Sequence, residues 1–160
     1  MSTLEVKAIQ APTGYDLQMP AGAILQVVQA TITNTENGGH LQASSSTSFN
    51  AVAGVTATIT PKFASSKILI SVATNNYRTG DSNYTIYRGS TNLGGSTHGM
   101  IRMTGNTSEW TTPVALIHLD SPNTTSATTY QLYARAESGT TYTGGDGDQL
   151  NTIILQEVAG

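Results

Sequence analysis

Apolar residues in this chain do not recur every three or four positions. They alternate with polar ones or gather in short runs rich in Val, Ile, Tyr and Thr. That is the period of a β-strand, in which successive side chains point to opposite faces. The pattern is clearest over eight segments, 24–31, 55–60, 67–74, 83–88, 98–103, 113–119, 129–137 and 152–158. Between them stand groups that favour turns, among them Asn37-Gly38-Gly39, Gly94-Gly95, Ser121-Pro122-Asn123 and Ser138-Gly139. Short strands punctuated in this way predict an all-β chain, an antiparallel β-sandwich of jelly-roll-like type.

Alternation also predicts which side chains face the core. In 129–137, Tyr130, Leu132, Ala134 and Ala136 share one face, with Gln131, Tyr133, Arg135 and Glu137 on the other. Ile68, Ile70 and Val72 form a second stripe, opposite Leu69, Ser71 and Ala73, and Val55, Ala57 and Ile59 form a third. Fully burying a large aliphatic side chain stabilises by about 1.5–3 kcal/mol, so three such stripes suffice for one modest core. Trp110 and Phe49 or Phe63 are the expected large fillers.

The first twenty or so residues read differently. Leu4, Val6 and Ala8 alternate with Glu5 and Lys7, and then Pro12, Gly14 and Pro20 interrupt. Such a stretch alone cannot bury enough apolar surface to offset a backbone entropy of about 1–2 kcal/mol per residue. The expected organisation is an extended N-terminal arm, residues 1–21, followed by a sandwich domain, residues 22–160.

Composition narrows the function. The chain has 160 residues, of which 38% are hydrophobic and only 11% charged, and Thr, Ser, Asn and Gln together exceed a third. One domain is expected at this length. Its formal charge of −3 supplies no cationic field for a phosphate backbone, so no nucleic-acid partner is expected. No stretch approaches the ~18 apolar residues of a membrane span and no basic leader opens the chain, so the expected product is soluble and made in the cytoplasm, without a membrane partner. With no cysteine there is neither a disulfide nor a thiolate metal site.

Residues 20–30, 59–70, 87–91, 118–130 and 153–160, taken in order, resemble the β-sandwich module of tailed-phage virion proteins. That module occurs in tail fibres and in capsid decoration, or cement, proteins, notably of phages of cyanobacteria and other aquatic hosts. The match runs over about residues 20 to 160. It implies a homotrimeric, noncatalytic structural protein. Long tail fibres carry a repetitive shaft such as a coiled coil or a Gly-x-y run, whereas here an arm leads directly into a sandwich. The expectation is therefore a decoration protein on the capsid surface that stabilises the head by bridging copies of the major capsid protein. The alternative is a short tail fibre or adhesin that binds host surface glycan. Arm contacts to the capsid or to a neighbouring subunit are expected at Leu4, Val6, Ile9, Tyr15, Leu17 and Met19, in the strand-addition mode of recognition. The trimer interface is expected at Ile153, Ile154, Leu155 and Val158, in the C-terminal strand.

Chemistry-bearing motifs are sparse. Gly144-Gly145-Asp146-Gly147-Asp148 places two carboxylates in a loop, yet it lacks the distal bidentate Glu of a calcium loop and reads as a turn. His40, His98 and His118 lie far apart, without the spacing of zinc ligands. A glycosidase needs two carboxyl groups held about 5–9.5 Å apart, and nothing in the sequence brings any two of Asp81, Glu109, Asp120 and Glu137 together. No enzymatic activity, metal or cofactor is expected. Tyr77, Tyr84, Tyr87, Tyr133 and Tyr142, with Trp110, form a glycan-stacking platform if several share a face.

Overall fold

A computed structural model describes residues 20–33, 40–78, 80–104, 110–144 and 149–160, apart from the side chains of Gln42, Ala43, Arg78 and Trp110. Eleven strands follow in chain order: β1 (Ile24–Thr33), β2 (Gln42–Ser44), β3 (Asn50–Ile59), β4 (Lys67–Arg78), β5 (Ser82–Arg88), β6 (Thr91–Asn92), β7 (Ile101–Met103), β8 (Trp110–Asp120), β9 (Thr128–Ala136), β10 (Thr141–Thr143) and β11 (Leu150–Val158). They form two antiparallel sheets packed face to face, a β-sandwich. In the first sheet β4 pairs with β8 on one side and with β11 and β10 on the other, beyond which lie β1 and β2. The second runs β3, β9, β5, β6, with β7 also on β5. The chain crosses between sheets after β2, β3, β4, β7, β8 and β9, so strands far apart in sequence become neighbours in the manner of a jelly roll.

Each of the eight segments that alternation marks contains a strand. The inward stripes hold as well: Ile68, Ile70, Val72, Val55, Ala57, Ile59, Tyr130, Leu132, Ala134 and Ala136 are buried. Three short strands, β2, β6 and β10, escaped the pattern because two or three residues are too few to show a period. The stretch 98–100 belongs to a loop, and β7 starts only at Ile101.

The large fillers are not those expected. Phe63 is 48% exposed in the turn between β3 and β4. Phe49 is half-buried on the outer side of the second sheet, where the Arg135 guanidinium lies 5.3 Å from its ring centre. Trp110's side chain lies outside the described residues. The largest buried side chains are instead Tyr84 and Tyr130, which reach into the core from β5 and β9. Each buries its ring and finds a polar partner for its hydroxyl, as buried tyrosine requires. The Tyr84 hydroxyl donates to Asn76 Oδ1 at 2.7 Å and lies 3.2 Å from Thr143 Oγ1, while Asn76 Nδ2 donates to Ser82 Oγ at 3.1 Å. Beside them Thr74 Oγ1 donates to Asn151 Oδ1 at 2.6 Å. At this end the core is closed by a hydrogen-bonded network, which is where part of the Thr and Asn content is used.

Candidate interaction surface

Once the strands are placed, exposed apolar residues cease to be scattered. Of the six large hydrophobic side chains that are exposed among the described residues, five (Ile24, Val27, Ile117, Leu119 and Leu150) lie on the outer face of the first sheet. Strand register groups them into rows. Leu119 on β8 stands beside Leu69 on β4, then Gln156 on β11 and Val27 on β1; the next row is Ile117, Ser71, Ile154 and Gln29. At the margin Lys67, Val158 and Ile24 form a third row. Within these rows Lys67 is the single charged side chain. Four strand positions at a spacing of about 4.8 Å make the face roughly 15 Å across. Seven of these eleven positions are apolar, with Gln156, Ser71, Gln29 and Lys67 between them, and a gathering of exposed apolar side chains on one face marks a surface that meets something.

The second feature is the free edge of β8. Among the described residues β8 pairs only with β4, over eleven positions and without a register shift. Pro113 sits opposite Asn75, whose carbonyl accepts from Gly144 N at 2.7 Å on the far side of β4. Asn75 and Pro113 are therefore a non-hydrogen-bonded pair, which a proline tolerates. Alternate residues on β8 share that phase, so Ala115, Ile117 and Leu119 aim both N–H and C=O away from the sheet. The same residues carry their side chains on the outer face, with Ile117 75% exposed and Leu119 49%. Edge strands are normally blunted by charge, bulge or proline; from Val114 to Leu119 this one has none of these.

The remaining polar clusters bind the fold itself. Arg88 Nη1 donates to both oxygens of Asp120, at 2.9 and 2.8 Å, and the Tyr130 hydroxyl donates to Asp120 Oδ2 at 2.7 Å, tying the end of β8 to β5 and β9. Burial, then the neighbouring Asp120 carboxylate, pushes the Tyr130 hydroxyl pKa up, so it stays a donor. A shallow hollow of about 390 Å³ lies beside Arg88, bounded by Pro122, Thr124 and Thr128. On the second sheet Glu137 meets Arg102 at 2.9 Å, Arg135 at 3.0 Å and His98 Nδ1 at 2.9 Å, with Asp81 3.8 Å from Arg102. Desolvation raises the Glu137 pKa, but the two guanidinium groups and His98 outweigh it and hold the carboxyl below its ordinary range. Asp81 and Glu137, which sequence spacing left apart, thus share a cluster, with both carboxylates engaged by Arg102. Among the described residues no three His, Asp or Glu side chains gather as metal ligands.

Several expected site residues fall elsewhere. Ile153 and Leu155, expected between subunits, are fully buried in the chain's own core, because β11 is an interior strand whose odd positions face the second sheet. Ile154 and Val158 point outward and belong to the apolar face. Leu4, Val6, Ile9, Tyr15, Leu17, Met19, Asp146 and Asp148 lie outside the described residues. The tyrosines divide. Tyr84 is in the core, Tyr87 stacks on Tyr133 at 3.9 Å outside the second sheet, and Tyr77 and Tyr142 join His40 on the first, with ring centres 4.7–5.5 Å apart. Pairing of β10 with β4 puts Tyr142 directly opposite Tyr77, a contact that no sequence period could show across 65 residues. No protein-family model and no curated protein matches this chain.

Proposed function

We propose that this chain is a noncatalytic structural protein of a phage virion, a capsid decoration protein that self-associates as a homotrimer and bridges copies of the major capsid protein. The observation that carries the assembly role is the gathering of five of the six exposed large hydrophobic side chains on one sheet face, next to an unblunted strand edge. Burying apolar face and pairing free backbone both demand protein partners, and a shell multiplies such contacts until individually weak ones hold. The virion assignment rests on the resemblance of residues 20–160 to tailed-phage sandwich modules.

Gold-labelled antibody against the chain, applied to intact particles of the phage that encodes it, tests the placement. Label over the head facets is expected, and particles without label overturn the virion role. A second reading, a short tail fibre or adhesin, is favoured by the ring cluster of His40, Tyr77 and Tyr142, since sugars stack on such faces. Label confined to the tail, together with glycan-array binding that Tyr142→Ala abolishes, replaces the first reading with the second.

A further inference from the structure

We propose that the free edge of β8 is the acceptor for the N-terminal segment of a neighbouring copy, with Leu4 opposite Leu119, Val6 opposite Ile117 and Ala8 opposite Ala115 in an antiparallel ladder. This deepens the assembly role above and rests on it. The acceptor is defined by geometry: Ala115, Ile117 and Leu119 direct N–H and C=O outward and carry their side chains on the apolar face. A strand fitting there needs the complementary pattern, apolar at every second position and able to donate at each of them. Residues 4–8 are Leu-Glu-Val-Lys-Ala. Directly opposed residues of a ladder place their side chains on the same face, so Leu4, Val6 and Ala8 extend the apolar rows while Glu5 and Lys7 fall on the other side. Three such pairs exchange six backbone hydrogen bonds. Prolines close the ladder from both chains: continuing the register sets Gln10 opposite Pro113, which has no N–H, and Pro12 follows in the donor.

Length and exit point let a neighbouring copy be the donor, and the oligomeric state decides between it and the chain's own segment. Gly22 N donates to Ala159 O and Ala159 N to Ala23 O, so the chain enters the body beside β1, at the opposite edge of the sheet from β8. The nineteen residues before Pro20 reach about 60 Å when extended, ample to leave one body and cross to another. An arm given in one direction and an edge receiving from the other make a heterologous contact, which closes into a ring when the rotation between copies allows.

Full-length variants test the exchange by sedimentation velocity at about 10 µM. Leu4→Lys with Val6→Lys disables the donor, and Ile117→Lys or, independently, Leu119→Lys disables the acceptor; Ile117 is exposed, so its melting temperature serves as a folding control. The wild-type chain is expected to sediment as an oligomer and each variant as a monomer. Mixing donor-dead with acceptor-dead chains is expected to restore a one-to-one dimer, since each supplies what the other lacks. If the donor variant still assembles while the acceptor variants do not, β8 edges pair with each other and the arm is not the occupant. If neither substitution changes the mass of an oligomeric wild type, self-association stands but β8 is not its site. A monomeric wild type overturns the exchange outright. Gold label on the tail would displace the decoration role and leave the exchange untouched, so the two fail separately.

Discussion

Glu157 shows how one residue can depart from its type. An acidic side chain on a strand is ordinarily solvated, yet this one is fully buried at the end of β11. It accepts from Gln26 Nε2 at 2.6 Å and from the backbone N–H of Lys62 at 2.7 Å and Phe63 at 3.4 Å, with the Ser66 hydroxyl facing it. Burial alone would raise its pKa, but these donors outweigh burial and hold the carboxyl below its ordinary value. The carboxylate therefore clamps the turn between β3 and β4 onto β1 and β11. Because its folded pKa is depressed, the stability it contributes is fully present above the unfolded carboxylate value of about 4.3 and is lost as pH falls through the folded value. Glu157→Gln keeps the shape but weakens the charge-assisted bonds. It is expected to lower stability at pH 7 by about 1–2 kcal/mol and to flatten the decline of melting temperature below pH 4.5, measured by calorimetry from pH 3 to 7. Alternation puts Glu157 in phase with the buried Ile153 and Leu155, but a period of two cannot name the donors, on β1 and in the turn between β3 and β4, that let a carboxylate stay there.

At the scale of elements, period-two alternation marked every strand long enough to display it, and failed where the ladder itself is irregular. In β3 the pairing with β9 shifts between Ala51 and Thr56, around Gly54, whose φ is +78°. A side chain there would also run into Ile32 of β1. Gly54→Ala should cost about 2 kcal/mol through both strain and collision, lowering the melting temperature by roughly 6 °C for a domain of this size. An unchanged melting curve would mean that the bulge is dispensable. On β8 the alternation carries a different consequence. Val114, Leu116 and His118 turn their N–H toward β4, whereas Ala115, Ile117 and Leu119 turn theirs outward. In monomeric Leu4→Lys, Val6→Lys protein, hydrogen exchange resolved by residue should be slow at the first set and faster at the second. In the wild-type assembly the difference should disappear.

At the scale of the whole molecule, two sheets enclose the aliphatic stripes and the Tyr84–Asn76 network, leaving one outer face on which exposed apolar side chains gather among uncharged polar ones, with Lys67 the single charge in the three rows. Attraction through such a face does not rest on ion pairs. Raising NaCl from 0.05 to 1 M should therefore leave the sedimenting mass of the wild-type assembly unchanged; dissociation at high salt would assign the contact instead to charged groups such as the Glu137, Arg102 and Arg135 cluster. The four residues expected at a C-terminal interface divide at this scale, Ile154 and Val158 outward and Ile153 and Leu155 in the core, for a plain reason. Ile153 and Leu155 look like a sticky strand when the strand stands alone, and β4 and β1 on either side of β11 make it interior. The face that remains open takes residues from four strands that are scattered from Ile24 to Val158.

The class of fold and the inward face of each long strand are written in the order of residues alone, because both follow from a local period that every strand carries within a few residues. The scarcity of charge on the surface follows likewise, since that is composition. Which strand lies at an edge, which apolar residues stay exposed together, which tyrosines fill the core and which carboxylates are buried emerge only once the sheets are assembled. Each of these depends on crossings between sheets that bring together positions far apart in the chain, such as Gln26 and Glu157, 131 residues apart, and a period of two holds no information about which strand a given strand will meet.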